Sequence, residues 1–345
     1  MIAFSGKTRQ NDLDVAFTIS LQPGAAQAHS ASGGSANESR QAFLTFGDAS
    51  WGSVKLGKDI GIYAQDAILN DMTLLGVGSS AANISTTTLG RIGTGYMYAD
   101  WKSQIAYTSP NFNGFSFTAG VTQSWNAVDG LGASATSTDR GGNQPAFEGK
   151  ASYAFAGDVA GKVWVSGISQ KVKGLTNEVA GVGGVGDADY VAAFSNTITD
   201  TSKTATAWDI GANVNVAGFG ATAYYGEGKG TGTQFLLQDG FDLAGNKRDS
   251  KDWYLQGTYT LPGVGTKVGV AYGESKLNGN DGTDVLLDGT VNVKNTMWTV
   301  GAYHPLTKHL NLVAEYSEQK QSGSDDVIKV QEKAKTVSLG AILFF

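Results

Sequence analysis

Apolar residues and small or polar residues alternate along most of this chain. Leu13, Val15, Phe17, Ile19 and Leu21 hold one parity, and Asp14, Ala16, Thr18, Ser20 and Gln22 hold the other. The same rhythm runs through Phe115–Val121, Phe147–Phe155, Trp208–Val216, Trp253–Leu261, Leu310–Tyr316 and Val337–Phe345. A period of two places successive side chains on opposite faces of a strand. These runs are about nine to eleven residues long, whereas a strand in an ordinary globular protein averages five or six. A tilted strand of ~9–11 residues is long enough to cross a bilayer. Aromatic residues fall near both ends of the apolar face, as with Phe147 and Phe155 or Trp253 and Tyr259, which is the spacing of two interfacial girdles.

The connections sort into two lengths. Short turns are expected at Asn11-Asp12, 48–50, 111–114, Gly157-Asp158, 218–220, 262–265 and Thr307-Lys308. Long polar segments lie near 23–38, 60–101, 126–145, 173–204, 229–250, 278–295 and 321–332. Short turns on one rim and long loops on the other describe a transmembrane antiparallel β-barrel. A β-sandwich core would also place an aromatic at every second residue, but it explains neither the loop lengths nor the terminal Phe345. The pattern predicts an all-β chain, 1–345, forming a single barrel domain, and it counts fifteen strands. Bacterial single-chain barrels have even counts, and about 21 residues per strand and connection suits sixteen. Met1–Arg9 runs toward the short-turn side, so an upward strand is expected before it, either missing from the chain or hidden in a long loop.

Composition narrows the field. Of 345 residues 48 are glycine and 5 proline, and only 16% are charged, so the chain is neither a helical bundle nor disordered. No repeating glycine triplet suggests collagen, and no run of about 18 apolar residues suggests a membrane helix. The absence of cysteine excludes a disulfide scaffold, a thiolate zinc site and a cysteine nucleophile. A net charge of −6 argues against a nucleic-acid partner. The first residues, Met1 to Lys7, have no basic segment followed by a long apolar one, so the chain reads as mature or cytosolic.

Three stretches carry a family resemblance. Ser39-Arg40-Gln41-Ala42-Phe43-Leu44-Thr45-Phe46-Gly47, continuing through Trp51-Gly52-Ser53-Val54-Lys55-Leu56-Gly57-Lys58, resembles the general porins of Gram-negative bacteria, in particular the beta-proteobacterial and neisserial type. So do Ile105–Ser116 and the strand ending Leu343-Phe344-Phe345. The resemblance implies a homotrimer of sixteen-stranded barrels in the outer membrane. It implies that a long third loop, about 60–101, folds inward and narrows the pore. It also implies lipid and lipopolysaccharide as surroundings, small solutes and ions as cargo, and no cofactor. The terminal Phe345, with Leu343, Ala341, Leu339 and Val337 at every second place before it, resembles the signal read by the outer-membrane assembly machinery. The arginines that line many such pores are few, namely Arg9, Arg40, Arg91, Arg140 and Arg248.

A barrel of this size leaves a watery lumen, and charge at its narrowest point sets ion preference. Lys7, Arg9, Arg40 and Lys55 are expected to form a basic wall on neighbouring early strands. Asp66 and Asp71 on the third loop are expected to oppose them, with Lys58, Asp59 and Arg91 nearby. Lys150 with Glu148, and Asp209 with Glu315, nearly balance further along the inner face, so selectivity is expected to be modest.

Other motifs carry less. Residues 181–186 fit the dinucleotide glycine pattern but lack a strand–helix context, and 226–231 lack the spacing of a phosphate-binding loop. His29, His304 and His309 read as loop and rim residues rather than the base of a hydrolase, and no enzyme is expected. Asp281, Asp284, Asp325 and Asp326 could hold calcium but read as solvated loop charge. Two rival functions stay open at this point. One is a substrate-specific outer-membrane channel, and the other is a secreted or surface β-rich adhesin.

Overall fold

The computed structural model describes residues 2–23, 37–77, 90–125, 135–139, 144–179, 194–197, 202–233, 240–241, 246–279, 292–324 and 329–344. Fifteen long strands dominate it: β1 (Ile2–Gln10), β2 (Leu13–Pro23), β3 (Ala42–Asp48), β4 (Gly52–Ile60), β5 (Trp101–Thr108), β6 (Phe115–Thr122), β7 (Ala146–Phe155) and β8 (Val159–Val179). They continue as β9 (Lys203–Val216), β10 (Phe219–Lys229), β11 (Asp249–Thr260), β12 (Lys267–Asn278), β13 (Asn292–Pro305), β14 (Leu310–Ser324) and β15 (Lys329–Leu343). Shorter strands Asn37–Glu38, Ala135–Asp139 and Phe194–Thr197 extend β2 and β8 at their loop ends. No described helix is long and apolar enough to cross a membrane.

Each long strand pairs antiparallel with its successor, from Arg9↔Asp14 between β1 and β2 to Glu315↔Ser338 between β14 and β15. Among the described residues no ladder joins β15 to β1. An unbroken series of antiparallel pairings over fifteen strands leaves β1 and β15 pointing the same way.

Turn chemistry fits the tight rim. Asn11 and Asp12 both have positive φ, 50° and 61°, the twist-matched geometry of a two-residue hairpin. Gly114 has φ +100°, and a Cβ there would lie 2.2 Å from the Ala154 carbonyl oxygen. Only glycine fits that close approach.

The packing is inverted relative to a water-soluble protein. Phe147 and Ile105 are each 58% exposed, Leu255 54% and Leu339 78%, while inward Asp209 and Glu148 are 0% and 4% exposed. The odd-parity apolar residues of β2, Phe17, Ile19 and Leu21, also point outward. Leaving such side chains in water forfeits roughly 1.5–3 kcal/mol each, so this outer surface is built for hydrocarbon. A barrel pairs its strands across their edges and thereby satisfies the backbone in lipid.

Candidate functional site

The inner face belongs to the segment between β4 and β5. It begins with Gly61–Ala64, turns into helix α1 (Gln65–Leu69), continues through a 3-10 turn (Met72–Leu75), and returns from Gly90 to Asp100. The root is held by a single carboxylate. Glu148 on β7 accepts from the backbone N–H of Ile62 at 2.7 Å and of Tyr63 at 2.8 Å through one oxygen. Its other oxygen accepts from Thr122 Oγ1 at 2.7 Å and from the Lys102 ammonium. Lys102 in turn lies 3.7 Å over the Trp125 ring.

The loop is then pinned to one strand after another. Asp66 on α1 pairs with Lys150 at 2.9 Å and with Lys162. Tyr254 donates to the Ala67 carbonyl at 2.8 Å. Gln256 accepts from Met72 N at 2.7 Å and donates to Asn70 O at 3.0 Å. Val77 N donates to Glu315 at 3.2 Å. On the return leg Arg91, wholly buried, donates to the Met297 carbonyl at 2.6 Å and the Ala271 carbonyl at 2.9 Å. Asp71 holds the two legs together. It accepts from Thr73 N at 2.9 Å, Arg91 N at 2.9 Å and Tyr96 Oη at 2.7 Å. Burial pushes the Arg91 guanidinium below its ordinary pKa, and Asp71 pulls the other way. Burial and Asp71 both raise the Tyr96 phenol. Tyr96, Tyr224 and Tyr254 pack edge-on and stacked behind the loop, at 5.6–6.3 Å between centroids.

Each of these anchors lies on β7 through β14. The loop therefore lies against the inner face of β7–β14, and the wall of β1–β4 carries none of these anchors. That wall bears a cavity of about 880 Å³ whose lining includes Lys7, Arg9, Asp14, Thr45, Asp48 and Ser53. On the loop side a second cavity of about 410 Å³ lies between Asn70 and the inward polar groups Asn213, Gln256 and Lys267. Polar side chains thus line both the β1–β4 wall and the loop side, inside a shell of outward hydrocarbon-facing residues. A model of the Gram-negative porin family matches residues 2–324.

The chain belongs to that family.

This porin is an outer-membrane β-barrel channel for the passive diffusion of small solutes. Its fold is shared with the outer-membrane channel DcaP of Acinetobacter baumannii, at 16% identity and TM-score 0.64 over 99% of this chain and 84% of that one. It is shared as well with OmpT of Vibrio cholerae, at 15% identity and TM-score 0.62 over 99% and 89%. Salmonella typhi OmpF, in complex with daunomycin, is similar at 15% identity and TM-score 0.58, also over 99% and 89%. No curated protein sequence matches the porin.

The residues expected at the constriction fall into three groups. Lys7, Arg9, Lys55 and Asp59 point inward from β1 and β4. Arg9 is engaged by Asp14 at 2.6 Å and Asp48 at 3.0 Å, and Lys55 by Asp59 of its own strand. Arg40 precedes β3, its guanidinium 5.9 Å from the Trp101 ring. Lys58 shares the outward parity of Leu56. Asp66, Asp71 and Arg91 are buried anchors of the loop. The structure thus joins Asp66 to Lys150 and Lys162 of β7 and β8, not to the early-strand cations. Val337, Leu339, Ala341 and Leu343 share the outward face of β15. Phe345, His29, the 181–186 glycine motif, Arg140, Asp281, Asp284, Asp325 and Asp326 lie outside the described residues. His304 and His309 sit at the short-turn rim, bonded to Thr266 at 2.8 Å and to the Phe344 carbonyl at 3.0 Å. The sequence reading passed over Lys102 and Lys162. Lys102 was findable, because it holds an inward ladder position opposite Asp59.

Proposed function

We propose that this porin is a general diffusion channel, working as a homotrimer, whose waist lies between the third loop and the β1–β4 wall. The observation that carries this reading is the one-sided fastening of the loop to β7–β14, which leaves the Lys7–Arg9–Lys55 wall facing water. Solutes pass by size and by the field of that wall. The field is weak because Arg9 meets Asp14 and Asp48, and Lys55 meets Asp59, so discrimination between ions is modest. The trimer reading is supported by Vibrio cholerae OmpT, which has a trimer form, with 14% identity and TM-score 0.56. Lipid and lipopolysaccharide surround the apolar belt, and the outward row ending β15 serves the assembly machinery.

Planar-bilayer recording of the purified protein tests the proposal. Currents rising in threes, and a reversal potential in a salt gradient that moves toward cations in the K7Q/K55Q variant, are the expected results. Single-unit steps would overturn the trimer. A reversal potential untouched by K7Q/K55Q would remove that wall from the waist. A conductance block that saturates with one solute class would favour a substrate-specific channel instead.

A further inference from the structure

One row of the inner wall crosses β9, β10 and β11 as Asp209, Gly226 and Asp252. Two carboxylates therefore flank a position with no side chain. Neighbouring strands lie ~4.8 Å apart, and side chains on the inner face of a barrel lean toward one another across such a gap. A Cβ built on Gly226 would meet the Tyr224 hydroxyl at 2.8 Å, so that hydroxyl overhangs the gap. Tyr224 is hydrogen-bonded to the hydroxyl of Tyr63 from the loop root, and both phenols lie within electrostatic reach of both carboxylates. None of these four side chains belongs to a residue more than 3% exposed.

A buried carboxylate is ordinarily paired, protonated or coordinated. Among the described residues neither Asp209 nor Asp252 is in an ion pair. Lys150, within electrostatic reach of Asp209, is held by Asp66 at 2.9 Å, and Lys162 is held by Asp66 as well. Asp209 accepts through one oxygen from Ser166, from N at 3.0 Å and from Oγ at 2.7 Å. Its other oxygen meets Tyr224 Oη at 3.5 Å, the outer limit of a bond. Asp252 accepts from the Ser275 hydroxyl, which itself accepts from Gly95 N at 3.0 Å. Among the described residues the buried Asp252 Oδ1 has no hydrogen-bond partner of either kind. A proton placed on that atom would find no acceptor. A cation in the gap would satisfy the atom and offset both charges.

We propose that the gap over Gly226 binds a hard divalent cation, calcium, through Asp209 and Asp252, with the Tyr224 and Tyr63 hydroxyls beside it and water completing the shell. Two aspartates on fixed strands and two neutral phenols are an irregular set of oxygen donors. Calcium accepts such sets, whereas magnesium demands a near-ideal octahedron and dehydrates reluctantly. Tyr63 belongs to the loop and the other three residues to β9–β11, so the ion fastens the third loop to the wall beside the Glu148 anchor.

Terbium, a luminescent substitute for calcium, is titrated into detergent-solubilised porin stripped of cations with a chelator, where tyrosines beside the ion sensitise its emission. The expected result is saturable emission that calcium displaces, with magnesium at least about tenfold less effective. Asp209→Asn and Asp252→Asn should each weaken terbium binding at least tenfold. Gly226→Ala, which puts a methyl group into the gap and leaves the charges alone, should do the same. Glu318→Gln, on the outward face, should change binding less than twofold. Calcium should also raise the melting temperature of the wild type above its value in chelator, and should not raise that of Asp252→Asn. The wild-type melting comparison needs no variant to fold, and a melting temperature indifferent to calcium would overturn the site. Emission undiminished in both aspartate variants comes from other acids and would also overturn it. Displacement by magnesium as readily as by calcium would overturn the calcium assignment. A folded wild type without calcium-sensitive emission would leave the two carboxylates to share a proton and would end the proposal.

Discussion

Replacing Glu148 by Gln keeps the shape of the loop root and removes its charge. In the native protein the carboxylate accepts from Ile62 N, Tyr63 N, Thr122 Oγ1 and Lys102 Nζ, and both members of the Lys102–Glu148 pair are almost wholly buried. A glutamine has one acceptor oxygen where the carboxylate has two, so one of the two bonded sets is lost. A hydrogen bond to a charged group is worth roughly 1.5–3 kcal/mol. Stranding Lys102 without its counter-ion is the larger effect, about 3–5 kcal/mol when one partner of a buried pair is removed. The Trp125 ring under Lys102 offsets part of this, since a desolvated cation–π contact contributes up to about 2 kcal/mol. The expected loss is therefore about 3 kcal/mol, felt at Ile62 and Tyr63 where the third loop leaves the wall. Urea unfolding in lipid vesicles should show that loss, and single-channel traces should flicker between sublevels. The K102M/E148Q double variant, which removes both charges, should regain at least half of it. A single variant within ~0.5 kcal/mol of wild type, with a quiet open level, would refute the claim that this carboxylate holds the loop.

Asp66→Asn should release Lys150 and Lys162 into the lumen and move the salt-gradient reversal potential toward anions, and an unchanged potential would contradict the pairing. Arg91→Met should free the return leg from the Met297 and Ala271 carbonyls, raising open-channel noise with little change in mean conductance. A silent trace would deny Arg91 its anchoring role. Gly114→Ala should lower the yield of folded barrel, because the left-handed turn and the 2.2 Å approach to Ala154 O together cost about 1–3 kcal/mol. Wild-type resistance of that variant to cold SDS would count against it.

The barrel was legible because its signal is local. Alternation in Leu13–Leu21 or Trp208–Val216 is set by neighbours two apart, and lipid outside against water inside keeps it consistent along the chain. The fifteen strands, the tight Asn11–Asp12 turn and the outward run from Val337 to Leu343 all follow from that contrast. The fastening of the third loop was harder. Asp66 finds Lys150 and Lys162 across more than eighty positions, because the loop's path, not its sequence spacing, chooses the partner. Arg91 looked like a pore cation and is a structural strut, since nothing local distinguishes a guanidinium aimed at water from one aimed at two carbonyls. The Glu148 hub was visible only as an inward charge. Its backbone donors come from Ile62 and Tyr63, and no side-chain pattern announces a backbone N–H.

The central claim, hydrocarbon on one parity and water on the other, has a direct probe, because the chain has no cysteine of its own. Single cysteines at Ala16, Phe17, Thr18 and Ile19 of β2, and at Leu44 and Thr45 of β3, are exposed in proteoliposomes to a charged, membrane-impermeant thiol reagent. The account predicts labelling at 16, 18 and 45 and protection at 17, 19 and 44. Equal labelling of both parities, or the reverse pattern, would contradict it.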